Sequence, residues 1–127
     1  MKAYLKNYRQ SPRKVRLVAD LVKGKNVEEA LSMLDFLTKR ASDPIKKLLN
    51  SAVANASVLG AQKKVLFIKD LKVDKGIVMK RMRARAMGSG ARINKRTSHV
   101  SVLLEEKKEK VKKIKVAKVA KKVSAKS

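Results

Sequence analysis

The side chains able to do chemistry are unevenly supplied in this chain of 127 residues. It has one histidine, His99, and no cysteine. A histidine general base needs a nucleophile and an orienting group positioned by the fold. Ser98 and Ser101 flank His99, but neighbours on a strand point to opposite faces, and no carboxylate is close in sequence. Hydrogen bonding or contact with a partner is therefore a better reading of His99 than catalysis. With one histidine, no thiolate and no dense carboxylate group, no metal cluster is visible. Gly88-Ser89-Gly90 lacks the strand-to-helix setting and the Gly-Lys-Ser/Thr ending of a phosphate loop. Neither a cofactor nor enzymatic activity is expected.

Fixed positive charge is abundant instead. The chain carries 34 Lys and Arg against 10 Asp and Glu, a formal net charge of +24. Such a charge repels itself and calls for a counter-charged partner, with nucleic acid ahead of an anionic membrane surface. The stretch from Met79 to Val100 holds Lys80, Arg81, Arg83, Arg85, Arg92, Lys95 and Arg96, without one acid. Arginine's planar fork donates to phosphate oxygens in pairs and stacks on exposed bases. A second basic group, Arg13, Lys14 and Arg16, follows Ser11-Pro12. Cations beside the free N–H groups of a helix start oppose the helix dipole and suit a phosphate, or simply form a solvated basic face. Aromatics are only 3% and Trp is absent, which argues against a general single-strand binder built on stacking platforms. The absence of cysteine fits a reducing compartment. No signal-like or membrane-length apolar run is present, so a cytoplasmic protein with no membrane role is expected.

The elements that must hold these groups follow from periodicity. Ala3 to Arg9 reads as a short strand with Tyr4 and Tyr8 on one side and Leu5 on the other. Ser11-Pro12 is a helix start, and Val15, Val18, Ala19 and Val22, joined by Leu21, form an apolar face closed by Gly24. Asn26 and Glu29 resemble a capping box for a second helix. Ala30, Leu31, Leu34 and Leu37 line that helix, Met33 and Phe36 add to its core, and it ends near Thr38. Asp43-Pro44 starts a third helix with Ile45, Leu48, Leu49, Ala52, Val53 and Ala56 on one face and Gly60 as terminator. Asn50 and Asn55 fall on its polar side. Val65 to Ile68 reads as a connection, with a strand from about Lys69 that bends or bulges at Gly76.

From Gly76 the strand leaves the domain, and extended chain to Gly88 spans roughly 40 Å. The return strand, Arg92 to Leu104, re-enters where Val100 and Val102 pair beside Leu71 and Val73. Lys80, Arg81, Arg83 and Arg85 are so close together that they project to both faces, which suits insertion between several nucleic-acid segments. The cations also guard a long ribbon against edge-to-edge association. The fold class expected is α+β: three helices on a small three-stranded, mainly antiparallel sheet, with a long protruding β-hairpin at about residues 77–99. Residues 1–106 form one domain in this reading. Residues 107–127, with 10 basic residues and 1 acid, form a lysine-rich tail that is disordered when free. An architectural DNA-binding protein with basic β-ribbon arms is the alternative.

The arm has a specific resemblance. Arg83-Ala84-Arg85-Ala86, Gly88, Arg92-Ile93 and Lys95-Arg96-Thr97-Ser98-His99-Val100 resemble the signature of the bacterial-type family of large ribosomal subunit protein twenty-two. Ser11-Pro12-Arg13-Lys14 with Arg16-Leu17-Val18-Ala19 is similar to the family's first helix, and Asn50-Ser51-Ala52 with Ala54-Asn55-Ala56 to its long one. The resemblance covers residues 1 to about 104. It implies large-subunit ribosomal RNA and neighbouring large-subunit proteins as partners, a role in subunit assembly, and no homo-oligomer. By it, RNA contacts fall on Ser11, Arg13, Lys14, Arg16, Lys80, Arg81, Arg83, Arg85, Arg92, Lys95, Arg96, Thr97, Ser98 and His99. Met87, Gly88, Ser89, Gly90 and Ala91 would form a tip lining the nascent-peptide exit tunnel near the macrolide site. Family tips read Gly-Arg-Ala where this chain has Gly88-Ser89-Gly90-Ala91, so one tip cation is missing, and Ile77 stands where proline is common.

Overall fold

Burial of alternating and helical apolar rows organises the fold. The computed structural model describes residues 1–106. The order is β1 (Lys2–Tyr8), α1 (Pro12–Val22), α2 (Val27–Phe36), α3 (Ser42–Val58), β2 (Leu66–Ala84) and β3 (Gly90–Glu106), with 3-10 turns at Lys63–Val65 and Ala86–Gly88. The sheet runs β1-β3-β2, and both pairings are antiparallel. Val102 stands opposite Leu71 and Val100 opposite Val73, as the alternation predicts. The lysine-rich tail lies outside the described residues.

One face of the sheet is covered. Ala3, Leu66, Ile68, Leu71, Val73, Val100, Val102 and Leu104 point to the helices and are buried. Val15, Val18, Ala19 and Val22 meet them from α1, Ala30 and Leu34 from α2, and Ile45, Leu48, Leu49, Ala52 and Ala56 from α3. Each fully buried aliphatic side chain contributes about 1.5–3 kcal/mol. Leu21 and Phe36 lie outside this core, 47% and 87% exposed. Leu21 sits on the flank of the α1 stripe, and Phe36 ends α2 where the chain turns away. Gly24, at φ +79, closes α1 and donates its N–H to the Ile68 carbonyl, while the Ile68 N–H returns to the Lys25 carbonyl. The α1 end is thereby tied directly to β2.

Several local expectations are corrected by polar contacts that no period reports. Asn26 precedes α2 without a side-chain cap bond, because Glu29 pairs with Lys25 at 2.9 Å instead. α3 begins at Ser42, one residue before Asp43, because the buried Ser42 hydroxyl donates to the Leu37 carbonyl. Asn55 donates to the Lys2 carbonyl and so binds β1 to α3. β2 starts at Leu66, three residues before Lys69, with Leu66 and Ile68 fully buried. Asn7 adopts φ +56 at a register shift in β1. Alternation breaks there, so Tyr8 packs against the core while Tyr4 remains on the outer face.

Candidate nucleic-acid interface

Beyond Lys75 the two strands continue as a bare ladder. Paired residues share a face. Val78 with Arg96, Lys80 with Asn94, Met82 with Arg92 and Ala84 with Gly90 form one face. Met79 with Lys95, Arg81 with Ile93 and Arg83 with Ala91 form the other. Lys80, Arg81, Arg83, Arg85, Arg92, Lys95 and Arg96 are all exposed. Both faces therefore carry cations interleaved with apolar side chains, and no helix covers either. Gly90 leaves the space in which the Met82 side chain lies, since a Cβ there would stand 2.4 Å from the Met82 methyl.

The ladder closes in a tight tip. The Arg85 N–H donates to the Ser89 carbonyl at 2.8 Å, and the Ser89 hydroxyl to the Ala86 carbonyl at 3.0 Å. Met87 and Gly88 both take the left-handed region, at φ +59 and +68. Met87 is held there although a side chain disfavours that conformation by about 1–2 kcal/mol. Its side chain projects fully into solvent. The small-residue tip read from Met87 to Ala91 thus has one protruding thioether at its end.

At the base, the arm meets α1. One groove is lined by Ser11, Pro12, Arg13, Arg16, Lys75 and Arg96. A second, sharing Ser11 and Arg96, is lined by Arg9, Gln10, Lys14, Arg40, Asn94 and Lys95. Neither contains a carboxylate. The structure thus brings the helix-start cations and the arm's return strand into one basic surface. Arg9, Arg40 and Lys75 belong to it and were missed by the reading of the sequence. Arg9 lies near the basic run after Ser11, which was the available signal; Arg40 and Lys75 arrive from distant segments. Arg16 is partly engaged internally, donating through Nε and an Nη to the Val73 carbonyl at 3.2 and 2.9 Å.

Thr97, Ser98 and His99 do different work from the exposed cations. The fully buried Ser98 hydroxyl donates to the Gln10 carbonyl at 2.6 Å. The buried Thr97 hydroxyl donates to the Ile77 carbonyl at 2.7 Å. His99 Nδ1 accepts the Asn7 N–H at 3.1 Å, so a neutral ring carries its proton on Nε2. The Ser98 side chain faces the helices, and Thr97, on the sheet face it shares with His99, is covered at the base of the arm, so both hydroxyls are engaged in internal bonds. Gly76 completes this joint, because β2 places Gly76 and Ile77 against the single residue Thr97. A Cβ at Gly76 would stand 2.4 Å from the Thr97 hydroxyl and 3.2 Å from His99 Nε2. Asp74 stands opposite His99 in the ladder. With Nδ1 accepting from Asn7, a neutral His99 presents a donor, not an acceptor, at its other nitrogen.

The chain matches the model of the family described as ribosomal protein L22p/L17e over residues 3–105. It is 50% identical over 109 residues to large ribosomal subunit protein uL22 of Desulfitobacterium hafniense (strain DSM 10664 / DCB-2), covering 85% of this chain and 96% of that protein. The protein of the same name from Desulfatibacillum aliphaticivorans is 52% identical over 106 residues, covering 84% and 98%. That from Bifidobacterium animalis subsp. lactis (strain AD011) is 45% identical over 112 residues, covering 84% and 94%.

Proposed function

The chain belongs to the ribosomal protein L22p/L17e family, and from that premise we propose that it anchors itself in large-subunit ribosomal RNA by the bare two-faced arm. It is a structural protein of the large ribosomal subunit, so its place is the cytoplasmic ribosome and its role is not catalytic. The observation that carries the RNA reading is the exposed ladder beyond Lys75, with cations on both faces. A ribbon of this kind gains nothing by packing on its own domain. Between RNA segments, each face meets phosphates, and the interleaved Met82, Met79 and Ile93 meet sugars and bases. The grooves at the root extend the same surface to the domain through Arg9, Arg13, Lys14, Arg40, Lys75 and Arg96.

In this reading the exposed arm cations and the Ser11 region are direct contacts, and Thr97, Ser98 and His99 set the angle at which the arm leaves the domain. Arm and root together assist subunit assembly. Neighbouring large-subunit proteins and the nascent peptide complete the partners, the latter at the tip around Met87, which borders the exit tunnel near the macrolide site. Residues 1–106 act as one domain, and the lysine-rich residues 107–127 as an appended tail. Sedimentation after a high-salt wash tests the assignment. The protein stays with large subunits; recovery only in the free pool overturns it. Competition at fixed salt between large-subunit RNA and duplex DNA separates the architectural DNA-binding alternative, because both share the electrostatic part of affinity.

A further inference from the structure

The face of the sheet turned away from the helices holds a slot that the arm does not explain. Its lining is Tyr4, Leu5, Lys6, Asp74, His99, Val100 and Ser101. Ladder register accounts for the shape. Tyr4 and Lys72 flank Ser101 in one row, and Asp74 stands opposite His99 in the next. The small Ser101 leaves a depression between the flanking side chains. Tyr4, on the uncovered face, is 64% exposed in a chain with only two tyrosines, two phenylalanines and no tryptophan.

Asp74 is the acidic member of the slot. Among the described residues, the nearby Asp70 pairs with Lys23 at 2.7 Å and Lys72 at 3.6 Å, and Asp74 has no ion pair. An unpaired carboxylate is unfavourable near a polyanion unless it accepts from a donor on that partner. Amino groups on base edges are such donors. Lys6 lies in the slot, and Lys2 and Lys72, with the paired Asp70, line the adjoining depression that shares Tyr4 and Ser101. These cations disfavour an incoming arginine or lysine from another protein and suit phosphates on either side of a bound nucleotide.

We propose that this slot takes one unstacked RNA base bearing an amino group, stacked on Tyr4, with Asp74 accepting from that amino group and Lys6 contacting its phosphate. The inference rests on the RNA-binding reading above. It adds a second, sequence-reading contact on the opposite side of the sheet from the helices. Stacking on one aromatic ring is sequence-tolerant, whereas the carboxylate favours a base with an exocyclic amino group over uracil, whose only base-edge N–H donor is its ring N3–H.

The test places p-benzoylphenylalanine at Tyr4, and separately at Arg83, in the full chain assembled into large subunits. After irradiation and digestion, mass spectrometry identifies the adducts. A nucleotide adduct at both positions is expected. A neighbouring-protein peptide at position 4, or no nucleotide adduct there while position 83 captures RNA, overturns the slot and leaves the arm reading intact. No nucleotide adduct at either position overturns both. Affinity for large-subunit RNA provides the second readout. Tyr4→Ala weakens it roughly tenfold while Tyr4→Phe stays within about twofold. Equal affinity for Tyr4→Ala and the parent overturns the slot.

Discussion

From Leu66 to Val73, β2 sends Leu66, Ile68, Leu71 and Val73 into a core closed by three helices. From Val78 to Ala84 the same strand sends lysine, arginine and methionine into solvent on both sides. Hydrogen bonding along the ladder continues through both halves with β3, so backbone pairing does not distinguish them. The difference is what the side chains meet. In the lower half they meet each other, and stability accumulates there. In the upper half they meet nothing within the chain, and the capacity for binding accumulates there. The joint at Gly76, Thr97, Ser98 and His99 separates the two and fixes their relative direction through internal hydrogen bonds.

The sharpest separation comes from substituting one side of this boundary at a time. Leu49→Ala removes a fully buried side chain and should cost about 3 kcal/mol. Thermal unfolding of the free protein reads this as a melting temperature lower by more than 10 °C (roughly 4–8 °C per kcal/mol). An unchanged melt would mean the helices are not the main support of the sheet. Ser98→Ala acts at the boundary. It leaves the Gln10 carbonyl without its hydroxyl donor and should cost about 1–3 kcal/mol. Incorporation into large subunits should also slow, because the arm's angle loosens. A binding defect with no stability loss would show that Ser98 acts as a direct contact.

Arg81→Ala with Arg83→Ala probes the other side. Both side chains are exposed, so stability should change by no more than about 0.5 kcal/mol. The salt dependence of RNA affinity should fall by a slope of about 1.5, reflecting two lost phosphate contacts. A large drop in melting temperature would show that the arm supports the domain after all.

The smallest effect belongs to the partly exposed pair of Lys23, at the end of α1, and Asp70 on β2. A hydrogen bond to the Lys23 ammonium, with the charges of Lys23 and Lys72, holds the Asp70 carboxyl below its usual 3.8 against the opposing cost of desolvation. The same hydrogen bond and charge raise Lys23 above 10.5. The lowered carboxyl stabilises the fold above the ordinary carboxylate range, and this is lost as pH falls through its depressed value. The raised ammonium stabilises below 10.5 and loses its contribution as pH rises through the raised value. Melting of Lys23→Met against the parent should therefore show a small difference that is constant across neutral pH and closes at both extremes. A difference that grows on acidification contradicts the pairing.

The lower half could be read from the chain because burial imposes a period. Val15, Val18, Ala19 and Val22 announce one helix face, and Leu71 and Val73 announce their partners Val102 and Val100. The arm could be read from the opposite sign, charge without acids. What period does not encode is local polar geometry. Asn7 at φ +56 turns Tyr8 inward, the Ser42 hydroxyl draws the start of α3 back, and the apolar run Val65 to Ile68, read as a connection, already belongs to β2 from Leu66. The exposed Phe36 and Leu21 show the limit of apolarity as a sign of burial at the ends and flanks of helices. The root grooves were hidden for another reason. Arg9, Arg40, Lys75 and Arg96 lie on separate segments and converge only after folding.

The division of labour has one direct measurement. Residues 79–95 are replaced by Asn-Gly, a two-residue turn that joins paired Val78 and Arg96, and the thermal melt and the fraction bound to large subunits after a high-salt wash are measured on the same preparation. The account predicts a melt within a few degrees of the parent and loss of stable association. An unfolded protein, or a folded one still held by the subunit at parental levels, contradicts it.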